Sequence, residues 1–587
     1  MRLPRSMWIV FGAASIIFHI GLVFSGLVPN LVSRPLHMAL VIPWIFLYRA
    51  DDAPVNPLNL AWVFAGIGAC LYIAFNHEAL GDQYGFLDGN FQIVIAVVLL
   101  ATTLYMARRA IGWPLPAVAT ITLIYGAFGQ YLPGEFGLPG LPMGSYLGTL
   151  TISEGGLWGT LTAVSVSVVS IFVIFGAVLN AGEAGQGFMN LATAAAGRLT
   201  GGAAKVSVIS SALFGSISGS ASANVASTGA ITLPAMTKLG YPRRLAGAVE
   251  AVASSGGQIM PPLMGAGAFV MVELTGVPYT GIMAAALLPA VLYFVIVWFG
   301  INGFASRYQL PALAAVDQPA VRTVVITSLF FAIPFVVLLE RMLHAGYTPQ
   351  YAACIAILTA FVLLFTNAEL KFPAPETRQR IEDACIASGR QIALIASIIL
   401  CAGIVIGVLG MTGLGVKITS LILSASGNLL WPALLLTALA CLVLGMEVPT
   451  TAAYVICVSV AGPALIQLGV DTLTAHLFVF WYALLSTITP PVCGAVFIAA
   501  GMVEENWLKV SITAMALGLG LYLIPIGIIA NPGLINIIET PAMAMLAFTK
   551  VMIALALISA GVIRPLKWLL RVALVTLGAG LLLVPLG

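Results

Sequence analysis

Charged residues are scarce in this sequence. Asp, Glu, Lys and Arg make up 8% of its 587 residues, and 60% of the residues are hydrophobic, whereas about a quarter of the residues in a soluble domain are charged. No polar region is long enough to form a soluble catalytic domain. We therefore predict an all-α polytopic membrane protein. The net charge of +3 is spread over the loops, so we expect no binding to nucleic acid.

Cysteine and histidine are scarce as well. The seven cysteines are scattered, mostly in apolar segments, and their spacing matches neither a disulfide framework nor a zinc site. The five histidines are isolated from one another in the sequence. An intramembrane enzyme would need a set of metal ligands or a nucleophile beside a base, and this pattern predicts neither. We therefore expect no enzymatic activity and no cofactor.

Long hydrophobic stretches are abundant instead. A helix that spans a bilayer needs about 20 mostly apolar residues, and many stretches meet this requirement. Examples are residues 7–28, 90–107, 157–180, 281–303, 323–343, 507–530 and 541–562. The first of them is long for a signal peptide and lacks a small-residue cleavage site, so we interpret it as an uncleaved first span.

The distribution of Lys and Arg predicts the orientation, because cytoplasmic loops of membrane proteins are enriched in these residues. If the N-terminus is cytoplasmic, counting the spans puts most of the 24 Lys and Arg residues on the cytoplasmic side. The loop 133–156, which contains two Glu but neither Lys nor Arg, then lies outside. The same count leaves Lys550 within a span, where it is expected to snorkel or to contact neighbouring helices. Glu250, near a helix start, is expected to face the cytoplasm or to pair with Arg243.

Residues 203–238 form an apolar segment that does not fit a single span. Lys205 lies near one of its ends and Lys238 at the other, so both ends are expected in the cytoplasm. Two half-length helices that meet near residues 215–224 satisfy this requirement. The segment therefore predicts a re-entrant helical hairpin.

The two proline pairs of the sequence mark an internal repeat. A shift of 229 residues aligns Pro261-Pro262 with Pro490-Pro491, and identical residues on both sides of each pair align without a gap. The second hairpin, predicted at 432–467, is followed by a segment with an Asp and no Lys or Arg, so we expect it to open to the outside. The repeats, at about 157–303 and 386–532, are therefore predicted to be inverted, which is the plan of many secondary transporters.

Each proline pair predicts a local break in a membrane helix. Proline lacks a backbone N–H and clashes with the preceding turn, so backbone carbonyls lose their partners. Inside a membrane such groups are tolerated only where they are buried in protein or line a polar cavity. Freed carbonyl oxygens suit a cation, and the positive ends of half-helices suit a carboxylate. The breaks therefore predict a site of neutral oxygens that suits Na⁺ better than a transition metal.

The candidate site residues lie at the hairpin tips and beside the proline pairs. The ion-binding candidates are Ser218, Gly219, Ser220, Asn224, Gly256, Pro261, Gly445, Glu447, Pro449, Thr450, Thr451, Thr487, Thr489 and Pro490. The substrate-binding candidates are Ser222, Ser254, Ser255, Gly257, Gln258 and Ser486. Glu447 is also the candidate for coupling, because an ionisable residue inside a membrane is costly and usually functional.

Two stretches resemble one family of transport proteins. The first contains S-G-S-A-S-A-N (218–224), L-P-A-M-T-K-L-G-Y (233–241) and G-G-Q-I-M-P-P (256–262) in that order, and the second contains G-M-E-V-P-T-T (445–451) and T-I-T-P-P (487–491). These motifs are similar to those of the large membrane component of tripartite ATP-independent periplasmic (TRAP) transporters. The region in front of them looks like the small membrane component, and such fusions are typical of the TAXI branch of the family.

The resemblance implies a domain organisation. It covers roughly residues 150–530, within a large-subunit-like region 135–540 that contains the inverted repeats. Residues 1–134 are expected to form a small-subunit-like module of four spans, with a connecting span at 115–132. Residues 541–587 are expected to add a C-terminal span pair.

The resemblance also implies a mechanism. It implies an elevator-type secondary transporter in the cytoplasmic (inner) membrane of a bacterium or archaeon, coupled to Na⁺ or H⁺. The transporter would import a small organic acid, that is a carboxylate-bearing substrate, delivered by a periplasmic TAXI-type binding protein, and membrane lipids would surround it. The chain has Glu447 where the large component often has Asp, and Ser486 where Gly is common. Proton uptake by Glu447 therefore stays open beside Na⁺ coupling.

Two other functions stay open at this point. A self-sufficient Na⁺/dicarboxylate-type elevator transporter or antiporter would need no binding protein, and the fused four-span module argues against it. A channel-like protein would show downhill flux without any binding protein. The sequence predicts neither the identity of the substrate nor the oligomeric state.

Overall fold

The computed structural model describes residues 3–48, 56–313, 318–445 and 449–585, and every regular element in these ranges is helical. Ten of the described helices are long and apolar enough to cross a membrane. Each hydrophobic stretch that the sequence analysis gives as an example coincides, within a few residues, with one helix or with two consecutive helices. The prediction of an all-α polytopic membrane protein is confirmed.

The N-terminal part contains long helices where four spans and a connecting span are predicted. Its helices are α1 (Arg5–Phe24), α2 (Asn30–Phe46), α3 (Pro57–Phe75), α4 (His77–Gly81), α5 (Gly89–Ile111) and α6 (Pro114–Phe128). The start of α3 has a local cause, because the Asn56 side chain accepts a hydrogen bond from the Leu58 N–H and Pro57 occupies the first helical position.

The middle part of the chain contains the first proline pair. Its helices are α7 (Met143–Thr151), α8 (Thr160–Val164), α9 (Ser170–Ala181), α10 (Ala184–Ala196), α11 (Gly202–Ser218), α12 (Ala221–Lys238), α13 (Arg243–Gly256), α14 (Ala266–Thr275), α15 (Tyr279–Tyr308), α16 (Val321–Leu343) and α17 (Pro349–Leu363). One π-helical segment, Ser165–Val169, joins α8 to α9, so these two helices form a single continuous span.

The last part contains the second proline pair and the C-terminal helices. Its helices are α18 (Thr377–Thr412), α19 (Leu414–Ala425), α20 (Leu430–Leu444), α21 (Thr450–Gln467), α22 (Thr472–Leu484), α23 (Gly494–Val503), α24 (Trp507–Leu517), α25 (Leu519–Ala530), α26 (Pro541–Ile563) and α27 (Trp568–Leu583). In α26, the Lys550 ammonium donates to the Asn531 side chain and to the Val584 carbonyl, so it contacts neighbouring helices.

The predicted first hairpin is present as the packed pair α11 and α12. The two helices separate at Gly219, whose φ of +60° lies in the left-handed region that glycine adopts without strain. Ser220 then caps α12 by accepting a hydrogen bond from the Ala223 N–H at 3.4 Å. In the second hairpin, α20 packs against α21, and the tip residues 446–448 lie outside the described part.

The helices of the two halves correspond at the offset found in the sequence. The bounds of α12 and α21 differ by 229 residues at both ends. The pairs α11 and α20, α13 and α22, and α14 and α23 correspond at the same offset within one to three residues. The two proline pairs thus interrupt matching chains of helices.

Helix α18 joins the N-terminal part to the remainder of the chain. It packs against α1, α2, α5, α6 and α9, and glycines permit the close approach. A Cβ on Gly12 would meet the backbone of Cys385, and a Cβ on Gly389 would meet the ring of Trp44. Larger residues at these two positions of the interface would push the helices apart.

His19 and His37 contact each other between α1 and α2. His19 Nε2 lies 2.8 Å from His37 Nδ1, and His37 Nε2 lies 3.1 Å from the Ser165 hydroxyl. The interpretation of the histidines as isolated residues is therefore wrong for this pair. These hydrogen bonds connect the N-terminal helices to the π-helical segment before α9.

Candidate functional site

A cavity of about 1030 Å³ lies where the ends of broken helices from both halves meet. Four helices begin at its wall, with the lining residues Ala221 (α12), Ala266 (α14), Thr450 (α21) and Gly494 (α23). The helices that precede them end there, with the lining residues Ser218 (α11), Gln258 (after α13), Gly445 (after α20) and Ser486 (after α22). Each half of the molecule therefore contributes two helix starts and two helix ends.

The polarity of this cavity comes from backbone and hydroxyl groups. Within the described residues, its lining contains no Lys, Arg, His, Asp or Glu. Helix starts carry unpaired N–H groups and partial positive charge, whereas helix ends carry unpaired carbonyls and partial negative charge. The hydroxyls of Ser218, Ser220, Ser222, Thr450 and Thr451 add neutral donors and acceptors. Such a lining suits a carboxylate at the helix starts and a cation at the helix ends.

Aromatic side chains form part of the lining of the cavity. The rings of Phe172 and Phe269 stack with their centroids 4.4 Å apart, and Phe214 and Phe497 also line the space. Apolar walls with a few convergent polar groups are typical of small-molecule sites.

The cavity is also lined by residues of α9 and α18 and by the C-terminal end of α5. It reaches Ala110 and Ile111, which directly follow Arg108 and Arg109 in α5. It also reaches Gln391, which follows Arg390 in α18. The lining of the cavity thus includes both the hairpin tips and residues that neighbour Arg109 and Arg390 in the sequence.

Side-chain hydroxyls contact some of the backbone carbonyls that the two helix breaks leave without helical partners. The peptide bond between the prolines is cis in both pairs. Tyr279 Oη lies 2.7 Å from the carbonyl oxygens of both Pro262 and Leu263. In the second break, the Ser511 hydroxyl donates to the Ile488 carbonyl at 2.7 Å. These contacts satisfy backbone groups that the breaks remove from helical hydrogen bonding.

The structure brings many predicted site residues to the cavity. From the two hairpins and the two breaks, the lining includes Ser218, Gly219, Ser220, Ser222, Gln258, Gly445, Pro449, Thr450, Thr451, Ser486 and Thr487. The assignment of each residue to an ion or to the substrate stays a prediction. Asn180 and Gln391 also line the cavity, and the sequence analysis missed them because they lie far from the motifs.

The other predicted site residues are not part of the lining. They are Asn224, Ser254, Ser255, Gly256, Gly257, Pro261, Thr489 and Pro490. The Asn224 amide donates to the Ser211 carbonyl at 2.9 Å and so holds the hairpin together. Thr489 contacts the Tyr522 hydroxyl at 2.6 Å. Glu447 lies outside the described residues.

Glu250 is a functional candidate that sequence reasoning missed. The expectation that it faces the cytoplasm or pairs with Arg243 is wrong, because its side chain is completely buried and Arg243 pairs with Glu504 at 3.4 Å. Five hydroxyls surround its carboxylate, those of Ser207, Ser211, Thr228, Thr232 and Ser254. The available signal was that each of α11, α12 and α13 carries two of these polar residues four positions apart, hence on one face.

A polytopic helical protein in which broken helices from two matching halves meet at one cavity has the architecture of a secondary transporter. Residues 94–543 match the family model described as "Tripartite ATP-independent periplasmic transporter, DctM component". The chain belongs to this family.

Several curated relatives are similar to this chain. The C4-dicarboxylate TRAP transporter large permease protein DctM of Pseudomonas aeruginosa is 25% identical over 338 residues, which cover 57% of this chain and 76% of that protein. The 2,3-diketo-L-gulonate TRAP transporter large permease protein YiaN of Escherichia coli is 22% identical over 348 residues, covering 58% and 78%. These relatives are transporter permeases, not enzymes.

A third relative is relevant to the fusion of the small and large membrane components in one chain. The isethionate TRAP transporter permease protein DctMQ of Oleidesulfovibrio alaskensis is 23% identical over 452 residues, covering 75% of this chain and 68% of that protein. This similarity confirms the fused membrane component. The protein is therefore a multi-pass membrane permease of the TRAP family, whose members are secondary transporters of organic acids.

Proposed function

We propose that this chain uses an ion gradient to import a small organic acid that a periplasmic binding protein delivers. The observation that carries the proposal is the cavity at which helix starts and helix ends of both halves meet, and whose lining among the described residues is uncharged. A carboxylate bound at the helix starts and a cation bound at the helix ends would be coupled through the same broken helices.

The substrate carboxylate is held by neutral groups in this proposal. Backbone N–H groups at the starts of α12 and α21 and the hydroxyls of Ser222, Thr450 and Thr451 provide the donors. Na⁺ would bind to carbonyl and hydroxyl oxygens at the hairpin tips, including Ser218 and Gly445. A proton bound at Glu447 is the alternative coupling ion.

The transport cycle moves the hairpins against a fixed scaffold. Helices α11–α14 and α20–α23 form the moving part, and α18 together with α1–α6 of residues 1–134 forms the scaffold. If the basic end of α5 and Arg390 of α18 lie toward the cytoplasm, the cavity opens to the cytoplasm and the described state faces inward. The repeats are inverted across the membrane in this proposal.

The binding protein is of the TAXI type in this proposal. The fused N-terminal module supports that branch of the family. As part of the fixed scaffold, this module would offer exposed surface where a delivered substrate arrives from the periplasm.

Reconstituted uptake tests the proposal. The purified chain is inserted in proteoliposomes and given a labelled mixture of small organic acids, with and without the neighbouring-gene binding protein, under an inward Na⁺ gradient, an inward H⁺ gradient or none. Accumulation that requires both the binding protein and one gradient supports the proposal. Gradient-driven uptake without the binding protein contradicts the tripartite part and supports a self-sufficient transporter, whereas downhill flux alone contradicts coupled transport.

A further inference from the structure

The carboxylate of Glu250 lies in a buried cluster of hydroxyls between α13 and the two helices of the first hairpin. Ser207 Oγ is 2.8 Å from Oε2, and Ser254 Oγ and Ser211 Oγ are 3.3 and 3.4 Å from Oε1. Thr228 donates to Oε1 and Thr232 to Oε2. All six side chains are buried. The cluster is separate from the residues that line the cavity.

No basic side chain of the described residues lies within 4 Å of this carboxylate. Helices α11, α12, α15, α23 and α24 pack against α13, and α23 carries no charged residue. The charged residues on α13 and on the other four helices are Lys205, Lys238, Arg243, Arg244, Arg307 and Lys509. Lys205 lies over the Trp298 ring, and the other five are exposed.

The tyrosines near this region have other partners. Tyr293 Oη donates to the Val252 carbonyl at 2.8 Å, and Tyr279 contacts the backbone of the first break. Arg244 donates to Tyr308 at 3.1 Å. An ionised carboxylate removed from water without a counter-charge is costly, so a bound cation stabilises Glu250, and the smallest such cation is a proton.

The hydroxyls can satisfy Glu250 in both protonation states. Each hydroxyl has one proton to donate and two lone pairs to accept. Thr228 Oγ1 also lies 2.8 Å from the Asn224 carbonyl, and Thr232 Oγ1 lies 3.0 Å from the Thr228 carbonyl. These hydroxyls can therefore donate to the carboxylate or turn to the helix backbone and accept from a protonated carboxyl. A site of this kind exchanges a proton without leaving a buried polar group unpaired.

The cluster is linked to the cavity through α12 and α13. Helix α12 starts at the cavity wall, and Thr228 lies two turns further along, about 10 Å at 1.5 Å per residue. Ser254 is followed in α13 by Ser255, whose hydroxyl lies 2.8 Å from Thr487 in the cavity lining. A change in the charge of Glu250 thus acts on the helices that form the site.

We propose that Glu250 is the residue that binds and releases the coupling proton, within the hydroxyl cluster of α11, α12 and α13. This inference rests on the proposed ion-driven import and gives it a proton site distinct from Glu447. The carboxylate takes up one proton with its hydroxyl partners turned to the backbone, and it releases that proton when they turn back.

Two measurements on Glu250→Gln test the proposal, with Glu504→Gln as the matched control for an exposed Glu. In proteoliposomes, an inward proton gradient should stimulate uptake by the wild type and by Glu504→Gln. The stimulation should be at least about tenfold smaller in Glu250→Gln. In infrared difference spectra recorded over a pH titration, the wild type and the control should show the C=O band of a buried protonated carboxyl, and Glu250→Gln should lack it.

The infrared band separates this inference from the proposed function. If no gradient drives uptake in the wild type, the proposed function fails, and a band lost only in Glu250→Gln still shows that Glu250 binds a proton. If Glu250→Gln does not fold, Thr232→Val serves as the second variant. It keeps the carboxyl and removes one donor to the ionised carboxylate, so the band should persist to higher pH than in the wild type. The assignment is overturned if uptake by the wild type requires Na⁺ and does not respond to the pH gradient. It is also overturned if neither substitution changes the infrared band.

Discussion

The hydroxyl oxygens of Ser255 and Thr487 lie 2.8 Å apart and join the two helix breaks. Ser255 Oγ also lies 2.8 Å from the Ala251 carbonyl, and Thr487 Oγ1 lies 2.7 Å from the Leu484 carbonyl. Because each hydroxyl has a single proton, one of them donates to its own helix and the other to its partner. The contact therefore ties the two halves of the molecule together beside the cavity.

Ser255→Ala and Thr487→Val should each lower the free energy of unfolding by about 1 kcal/mol, since each removes one net hydrogen bond. The double substitution should cost less than the two single effects together, because both remove the same contact. Thermal unfolding of the four proteins in detergent measures this double-mutant cycle. Strictly additive effects would show that the contact between the halves contributes nothing.

Gly215 in α11 and Gly257 after α13 pack backbone against backbone. A Cβ on Gly257 would lie 2.5 Å from the Gly215 Cα, so Gly257→Ala must displace one helix. We expect a loss of about 1–3 kcal/mol in unfolding free energy and weaker uptake, because α11 carries the hairpin tip. Gly410→Ala is the control, since a Cβ there meets no atom within 4 Å. Equal melting temperatures for the two variants would contradict the packing argument.

The hydroxyls of Ser222 and Thr450 test the assignment of the cavity to the substrate. Ser222→Ala and Thr450→Val each remove one donor to a bound carboxylate, which is worth about 1.5–3 kcal/mol. We expect the substrate concentration for half-maximal uptake to rise at least about tenfold in each variant, with the exposed Ser424→Ala as the control. An unchanged concentration in both variants would show that the acid binds elsewhere.

Arg34 in α2 anchors the N-terminal helices to the segment before α8. Arg34 is 6% exposed, and its guanidinium donates to the Trp158 carbonyl and lies 3.2 Å from the Glu154 carboxylate. Arg34→Leu should lower the unfolding free energy by about 1.5–3 kcal/mol, because hydrogen bonds of a charged group are lost. Arg378→Leu, which removes an exposed pair with Glu382, should cost at most about 1 kcal/mol. Thermal unfolding of both variants checks the difference, and a larger effect of Arg378→Leu would contradict the anchoring role.

Local signals were sufficient to predict the helices and the first hairpin. The basic residues at both ends of 203–238 and the small residues between them required a break, and the structure has it at Gly219. The repeated proline pairs indicate an offset of 229 residues, and the bounds of α12 and α21 differ by this number. Such features depend on neighbours in the sequence, which is why they can be read from it.

The environment of Glu250 could not be predicted in the same way. Its position seven residues after Arg243 resembles a residue at the membrane surface. Its burial depends on α11 and α12, which bring Ser207 and Thr228 to the carboxylate from 43 and 22 residues away. The contact between His19 and His37 likewise depends on how α1 and α2 pack. Tertiary packing decides both features: the spacing of the polar residues in α11, α12 and α13 indicates a polar face on each helix, but not that these faces meet.

Alternating access of the cavity is the property that the proposed transport cycle requires most directly. A cysteine placed by Ser222→Cys would lie in the cavity, whereas the seven native cysteines are buried. Labelling of this cysteine with an impermeant thiol reagent, from either face of oriented proteoliposomes, measures access directly. We predict labelling from the cytoplasmic face in the resting protein and from the opposite face when binding protein, substrate and ion gradient are supplied. Labelling from both faces at once, or from one face under every condition, would contradict the account.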